Sequence, residues 1–187
     1  EITFQSTDGR TTVYASIWLP ETAEIRGIVQ ICHGMAEHIG RYDRFARELC
    51  ARGFAVCGDD HLGHGRTAAA KEDLGYFGAK DGSIHMVDDE NRMRMEMQKR
   101  YPDLPYFLLG HSMGSFITRN YVTKYADGLS GYICCGTSGP VPMSGFAILL
   151  SNIVIAFQGG RHTGYFLNKL AFQDYNSRYG EVKTGLE

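Results

Sequence analysis

The sequence predicts an α/β fold, with a mostly parallel sheet covered by helices on both faces. Short continuous apolar runs alternate with segments of helical periodicity, and each of these runs is closely followed by glycine. Strands that are buried on both faces read as continuous apolar runs, which is typical of a parallel sheet between helices. The chain has 187 residues, of which 43% are hydrophobic, so it is long enough to bury one core.

The first two β-rich runs predict a hairpin. Ile2–Gln5 and Thr11–Leu19 are joined through the Asp8-Gly9 step, which is typical of a tight turn between antiparallel strands. The order strand, helix, strand, helix, strand, helix, strand is then predicted over Gly27–Cys32, Tyr42–Arg52, Phe54–Cys57, Ser83–Arg100, Tyr106–Leu109, Met113–Tyr125 and Gly131–Cys135.

Three details of these elements are also predicted. Gly53 is expected to end the first helix, and Ser83 is expected to cap the N-terminus of the second. Met93, Met95 and Met97 recur at a spacing of two on that second helix, so we expect them to spread around its surface as packing residues.

Composition excludes several classes of protein. The chain carries 19 Lys and Arg against 21 Asp and Glu, a net charge of −2, which gives no basic field for nucleic acid. No run approaches the ~20 apolar residues of a membrane span, and no secretion signal is visible. Five cysteines, an odd number among apolar neighbours, predict reduced core residues and a cytoplasmic protein.

One motif carries nucleophile chemistry. Gly110-His111-Ser112-Met113-Gly114 is a G-x-S-x-G pattern between a predicted strand and a predicted helix, where a tight turn exposes the serine hydroxyl. Ser112 is therefore the predicted catalytic nucleophile. The alternative is a serine that only caps a helix after a glycine-rich turn.

The predicted oxyanion hole consists of two backbone N–H groups. A nucleophile of this kind needs donors for the oxyanion of its tetrahedral intermediate. Met113 follows the nucleophile and supplies one N–H, and Met35 supplies the other because Gly34 lets the preceding loop turn inward.

A family resemblance follows from four motifs taken together. They are His33-Gly34-Met35-Ala36-Glu37-His38 with Arg41-Tyr42, Gly53-Phe54-Ala55-Val56, Asp60-His61-Leu62-Gly63-His64-Gly65-Arg66-Thr67, and Gly110-His111-Ser112-Met113-Gly114. Over about residues 1–140 the chain closely resembles the monoacylglycerol lipase and lysophospholipase-like branch of the α/β-hydrolases, the serine aminopeptidase S33 type. Leu62 and Thr67 depart from the family, which usually has Arg and Ser there.

The resemblance implies an α/β-hydrolase fold and hydrolysis of a small lipid ester, monoacylglycerol or lysophospholipid, through an acyl-enzyme on Ser112. It implies no metal and no organic cofactor. It also places Asp59, Asp60, His61 and His64 in a loop held by structural hydrogen bonds, with a metal site as the alternative. Two other functions stay open: a peptidase of the proline-iminopeptidase type, and a non-catalytic binding protein with the same pocket.

The resemblance also assigns two regions. Residues 1–139 correspond to the N-terminal part of the hydrolase core, and residues 140–187 to the start of a lid. Val141–Phe157 is apolar nearly all round, which suits an acyl chain or transient contact with a membrane surface, and burial against its own core is the alternative.

The family's acid and base are not found after Ser112. His162 is the one histidine there and falls in the lid segment, Asp127 comes too early, and Asp174 follows His162 in the wrong order. We therefore expect the closing strands, with the acid and the base, to lie beyond Glu187. The 187 residues alone are expected to be nearly inactive.

Overall fold

A computed structural model describes residues 1–21, 24–139 and 144–161 of the chain. The strands among these residues form one six-stranded sheet. The strands are β1 (Ile2–Gln5), β2 (Thr12–Trp18), β3 (Gly27–Cys32), β4 (Phe54–Asp59), β5 (Tyr106–His111) and β6 (Gly131–Cys135). Their spatial order is β1-β2-β4-β3-β5-β6. The β1–β2 and β2–β4 pairs are antiparallel and the other pairs are parallel, which confirms the predicted α/β fold with a mostly parallel sheet.

Four α-helices accompany the sheet in the described part of the chain. They are α1 (Asp43–Cys50), α2 (Gly82–Arg100), α3 (Met113–Tyr125) and α4 (Ser144–Gln158), with short 3-10 turns at Ile39–Tyr42, Gly65–Thr67 and Lys71–Asp73. The predicted hairpin and the alternation after it occur in the predicted order. Strands β4 and β5 each run two residues further than predicted, so they end at Asp59 and His111.

The expected cap at Ser83 is wrong. Helix α2 begins at Gly82, and Asp81 precedes it in the left-handed conformation with φ of 56°. A Cβ on Gly82 would lie 2.2 Å from the Phe77 carbonyl oxygen, so the preceding loop packs directly on the first turn of α2. This close approach determines where the helix starts.

The core divides between the two faces of the sheet. Because side chains alternate along a strand, Ile28 and Val29 of β3 point to opposite faces. Ile28 belongs to the larger cluster, which includes residues of α2 and α3, and Val29 packs with Ala46 of α1 on the other face.

Two expectations about sulfur-containing residues need correction. Met93 and Met97, four residues apart on α2, are both completely buried, and only Met95 is exposed, because positions i and i+4 share a helix face. All five cysteines are free, but they are not all core residues, since Cys135 at the end of β6 is exposed.

The chain divides into two compact units, Glu1–Thr137 and Ser138–Glu187. In the second unit the structure describes helix α4, whose Phe146, Ile148 and Phe157 side chains are more than half exposed. No helix among the described residues is long and apolar enough to cross a membrane. The assignment of residues 140–187 to a lid stays a prediction, and most of that segment lies outside the described residues.

Arg94 joins α2 to the end of α3. Its guanidinium donates hydrogen bonds to the Tyr125 carbonyl at 3.0 Å and to the Asp127 carbonyl at 2.7 Å, and it lies over the Tyr106 ring. Carbonyls at a helix C-terminus lack intrahelical partners and carry partial negative charge, so a buried cation there is compensated. Arg94 therefore holds α3 at the end remote from Ser112.

Asp89 of α2 holds the turn that follows β1. Its carboxylate accepts hydrogen bonds from the Ser6 hydroxyl at 2.6 Å and from the Thr7 amide at 2.7 Å. Burial raises the pKa of Asp89 to about 6, although the bond from Ser6 acts in the opposite direction. The connection between the hairpin and α2 thus depends on an acid that titrates above its usual range.

Asp89→Asn is expected to change the pH dependence of stability. A carboxyl with a pKa near 6 when folded and about 3.9 when unfolded binds its proton more tightly in the folded state. The wild-type protein therefore loses stability as the pH rises from 4 to 6. Relative to Asp89→Asn, it should lose about 2–3 kcal/mol of unfolding free energy between pH 4 and pH 7.

Urea unfolding at pH 4, 5, 6 and 7 measures this difference. Asp103→Asn, an exposed acid outside the contact, is the control and should follow the wild-type profile. Parallel profiles for the wild type and Asp89→Asn would contradict the expectation.

Candidate active site

Ser112 lies in the turn between β5 and α3, at the carboxyl end of the parallel strands. Its φ of 51° and ψ of −117° place a non-glycine residue in a conformation that L side chains rarely adopt. The Ser112 amide donates to the Cys135 carbonyl at 2.9 Å, and its carbonyl accepts from the Ser115 hydroxyl at 2.6 Å. These bonds to β6 and to the first turn of α3 hold the strained conformation.

The two glycines of the motif permit close packing around this turn. A Cβ on Gly114 would lie 2.0 Å from the Cys32 carbonyl oxygen at the end of β3, and a Cβ on Gly110 would lie 2.4 Å from the Gly114 carbonyl oxygen. No side chain fits at either position. The glycines therefore allow the first turn of α3 to rest on the backbone of β3.

The loop after β3 lies against Ser112. A Cβ on Gly34 would be 3.2 Å from the Ser112 Cβ, so a side chain there would crowd Ser112. Met35 follows, and its N–H has no acceptor among the described residues. Met113 is the first residue of α3, where backbone N–H groups have no intrahelical acceptor. The structure thus places Met35 and Met113 in the two segments that meet at Ser112.

Glu37 joins the two segments, a role that the sequence analysis missed. Its Oε1 accepts hydrogen bonds from the Gly34 amide, from the Tyr42 hydroxyl at 2.8 Å and from His111 Nδ1 at 3.2 Å. Burial acts to raise the pKa of Glu37, but the bonds from Gly34 and Tyr42 outweigh it and lower the pKa. The sequence feature that could have indicated this role is the position of Glu37, three residues after Gly34 in the first motif.

The buried rings of His33 and His61 support the loop after β3 from the core side. Their rings stack with centroids 3.9 Å apart. His33 Nε2 accepts from the His61 amide at 3.1 Å, while His61 Nε2 donates to the His33 carbonyl at 3.2 Å. Burial lowers the pKa of each to about 3, so both rings are neutral at physiological pH. Their role in the loop is structural.

The loop after β4 supports the site through backbone hydrogen bonds. Asp60 accepts from the amides of Ile39 and Arg66, each at 2.8 Å. His64 Nδ1 donates to the Leu62 carbonyl at 3.0 Å. Asp60, His61 and His64 thus make the structural hydrogen bonds that the sequence predicted. The Asp59 carboxylate instead lies beside His61 and Glu90 in the core.

The two departures from the family pattern have their own contacts. Leu62 is buried and joins the larger core cluster, as suits an apolar side chain in place of a charged one. The Thr67 hydroxyl accepts a hydrogen bond from the Tyr14 amide at 3.0 Å, a bond that a serine hydroxyl also makes. Both positions therefore support the loop without touching Ser112.

The acid and base of a triad are not brought together with Ser112 in the described ranges. The Ser112 hydroxyl has no hydrogen-bond partner there, and His162 and Asp174 lie outside these ranges. Asp127 follows the C-terminus of α3, about 20 Å from Ser112 along this 13-residue helix, as its early place in the chain predicts. A concavity of about 770 Å³, lined by residues including Trp18, His38 and Arg47, does not include Ser112.

Residues 23–172 match the model of the family described as serine aminopeptidase, S33. The chain is 35% identical over 136 residues to a monoacylglycerol lipase of Mycolicibacterium smegmatis, covering 73% of this chain and 46% of that protein. It is 36% identical over 105 residues to the monoglyceride lipase of Homo sapiens, covering 56% of this chain and 32% of that protein. The chain thus spans less than half the length of these curated relatives.

Two solved structures superpose on almost the whole of this chain. A thermostable carboxyl esterase from Bacillus coagulans, in complex with glycerol, superposes with a TM-score of 0.85 at 39% identity, covering 98% of this chain and 58% of that chain. A lipase in an open form superposes with a TM-score of 0.81 at 28% identity, covering 95% of this chain and 57% of that chain.

Gly114→Ala is expected to destabilise the fold. The added methyl group would meet the Cys32 carbonyl oxygen at 2.0 Å, so α3 or β3 has to shift. We expect a loss of about 3 kcal/mol or more, equivalent to a Tm decrease of roughly 6–12 °C.

Thermal unfolding followed by circular dichroism measures the effect. Gly131→Ala in β6 is the matched control, because its Cβ would make an ordinary contact of 3.4 Å with the Phe107 ring. Equal Tm values for Gly114→Ala and Gly131→Ala would show that the α3–β3 contact is not as tight as described.

Proposed function

The chain belongs to the serine aminopeptidase S33 family of α/β-hydrolases, and on that basis we propose that it hydrolyses carboxylic esters of lipids with Ser112 as the nucleophile. The observation that carries the proposal is the backbone of Ser112, a serine at positive φ between a strand and a helix. This conformation is costly for a serine and is retained here by packing on both sides. The match with a carboxyl esterase supports the reaction class.

In the proposed reaction, the Ser112 hydroxyl attacks the acyl carbonyl of the ester. The serine proton passes to a histidine base outside the described residues, and the carbonyl oxygen becomes an oxyanion. Collapse of the tetrahedral intermediate, with the histidine giving that proton to the leaving oxygen, releases the alcohol and leaves an acyl group on Ser112. Water then attacks this acyl-enzyme, releases the carboxylic acid and restores the hydroxyl.

The Met35 and Met113 N–H groups are the proposed oxyanion donors. Both are backbone groups, so the methionine side chains do not enter the chemistry. Donors that are already oriented stabilise the transition state because no reorganisation is needed when the charge develops. Glu37 is the proposed positioning residue, since it holds the Gly34 amide and thereby the direction of the Met35 N–H.

A monoacylglycerol or a lysophospholipid is the proposed substrate. The curated relatives include monoacylglycerol and monoglyceride lipases. The exposed apolar residues of α4 suit contact with an acyl chain or a membrane surface. The family's description as an aminopeptidase favours a second candidate, a peptidase of the proline-iminopeptidase type.

A fluorophosphonate probe on the full-length protein tests the nucleophile. We expect labelling of the wild type and of Ser83→Ala, an exposed serine at the start of α2, and no labelling of Ser112→Ala. Ester turnover by Ser112→Ala should fall by roughly 10⁶-fold. A folded wild-type protein that takes up no probe would instead support the non-catalytic binding protein. Monooleoylglycerol and a proline p-nitroanilide then separate the lipase from the peptidase.

Glu37→Ala is expected to lower kcat while leaving KM nearly unchanged. It removes the acceptor of the Gly34 amide, and a displacement of catalytic groups by about 1 Å costs roughly 10²-fold in rate. Glu37→Gln retains an acceptor oxygen and should recover most of the activity. Glu48→Ala, an exposed acid on α1, is the control. A rise in KM at constant kcat would place Glu37 in substrate binding instead.

A further inference from the structure

A buried cluster of two carboxylates and one imidazole lies on the α2 side of the sheet, and the proposed hydrolysis does not use it. It consists of Asp59, the last residue of β4, His61 in the loop that follows, and Glu90 in the middle of α2. Their side chains are 1%, 1% and 0% exposed. His61 Nδ1 lies 3.2 Å from Glu90 Oε1 and 3.6 Å from Asp59 Oδ2.

Each of the three residues has one buried polar atom without a hydrogen-bond partner among the described residues. These atoms are Asp59 Oδ1, His61 Nδ1 and Glu90 Oε1. An unpaired polar atom in the core destabilises the fold, and the cost is greater for a charged group. A positively charged species between the three atoms would satisfy all of them at once.

The hydrogen bonds of His61 determine which of its nitrogens carries the proton. Nε2 is 3.2 Å from the His33 carbonyl, which only accepts, so Nε2 carries the hydrogen. In a neutral ring with its hydrogen on Nε2, Nδ1 presents a lone pair. This lone pair faces Glu90 Oε1 at 3.2 Å, and the two acceptors repel each other unless a proton or a cation lies between them.

A proton and a metal ion would relieve this repulsion differently. One proton on Glu90 Oε1 bridges to a single acceptor and leaves another of the three atoms unpaired. A cation at the centre of the cluster contacts a donor atom of each residue at the same time. It also compensates the charge of two carboxylates that lie side by side in the core, away from water.

We propose that Asp59, His61 and Glu90 form a structural site for one divalent transition-metal ion, with Zn²⁺ the best fit to these ligands. Zinc is bound by imidazole nitrogen and carboxylate oxygen at about 2.0–2.2 Å, so tetrahedral donor atoms stand about 3.3–3.5 Å apart. The observed separations of 3.2 and 3.6 Å are close to this spacing. Mg²⁺ and Ca²⁺ fit less well, because they prefer oxygen ligands alone.

The groups around the cluster are those expected around metal ligands. A ligating histidine typically donates its second N–H to a backbone carbonyl, and His61 does so to His33. A ligating carboxylate is typically hydrogen-bonded in turn, and Glu90 Oε2 accepts from the Gln30 side-chain amide. The buried thiol of Cys32 adjoins Glu90 as well.

The proposed ion links β4, the loop after it and α2. His61 stacks on His33, which precedes Gly34, so the ion supports the loop that carries Met35 from the core side. The role is structural because the ligands are closed to solvent, and it holds whether or not Ser112 is a nucleophile. A closed site of this kind is filled during folding.

Metal content and refolding of the full-length protein test the proposal. Protein from zinc-supplemented culture should contain about one Zn²⁺ per chain by mass spectrometry of the elements. Glu90→Met, which has a similar volume and lacks the carboxylate, should contain almost none. Asp88→Asn, which removes an acid from the neighbouring position of α2 outside the cluster, should retain the wild-type content.

Refolding separates a metal site from a protonated cluster. Wild-type protein refolded with Zn²⁺ at a thousand times its Kd should melt about 8 °C or more above protein refolded with EDTA. Glu90→Met should melt at one temperature in both. If Glu90→Met does not fold, the comparison of wild-type protein refolded with Zn²⁺ and with EDTA is sufficient to test the proposal.

Two results would overturn the proposal. One is a wild-type Tm that does not respond to Zn²⁺, Co²⁺ or Mn²⁺ during refolding, which would show that protons neutralise the cluster. The other is an unchanged zinc content in Glu90→Met, which would place the ion elsewhere. Neither result bears on fluorophosphonate labelling of Ser112.

Discussion

The contact between the first turn of α3 and the end of β3 is the constraint on which the rest of the site depends. With a backbone carbonyl 2.0 Å from the position of a Gly114 Cβ, the helix can start here only without a side chain at that residue. The chain then has to reverse direction within Ser112, which takes a positive φ. The position of Ser112 at this turn is therefore a consequence of how closely a helix is packed onto a strand.

The contacts that hold the loop after β3 against the Ser112 turn place no charged side chain beside Ser112, apart from one. Glu37 is the exception, and its negative charge is spread over donors from the Gly34 amide, Tyr42 and His111. Below the loop, His33 and His61 are neutral, and each ring uses one nitrogen as donor or acceptor to the other residue's backbone. The loop is thus held in position by uncharged rings that contact its backbone.

Much of this arrangement could be predicted because it is encoded locally. Apolar runs close to glycines identified β3 to β6, the Asp8-Gly9 turn identified the hairpin of β1 and β2, and the G-x-S-x-G pattern identified the turn at Ser112, since all of these depend on neighbouring residues. The joining role of Glu37 could not be predicted, because its partner His111 is 74 residues away in the sequence. The burial of Met93 and Met97 and the convergence of Glu90 with Asp59 also depend on which helix face meets the sheet. The spacing of residues in the sequence does not show which face of the helix this is.

The strand order has a consequence for how the chain reaches this structure. Strand β3 lies at the centre of the sheet between β4 and β5, and the Tyr106 hydroxyl on β5 bonds to Gln30 on β3, 76 residues earlier. Contacts of such long range require large loops to close first, which slows folding relative to proteins with local contacts. On a ribosome that adds about 5–20 residues per second, the opening hairpin can form seconds before β5 emerges. Until then, β3 exposes one unpaired edge, and the nascent chain passes through a stage in which a strand that is fully buried in the final fold is open to pairing with other chains.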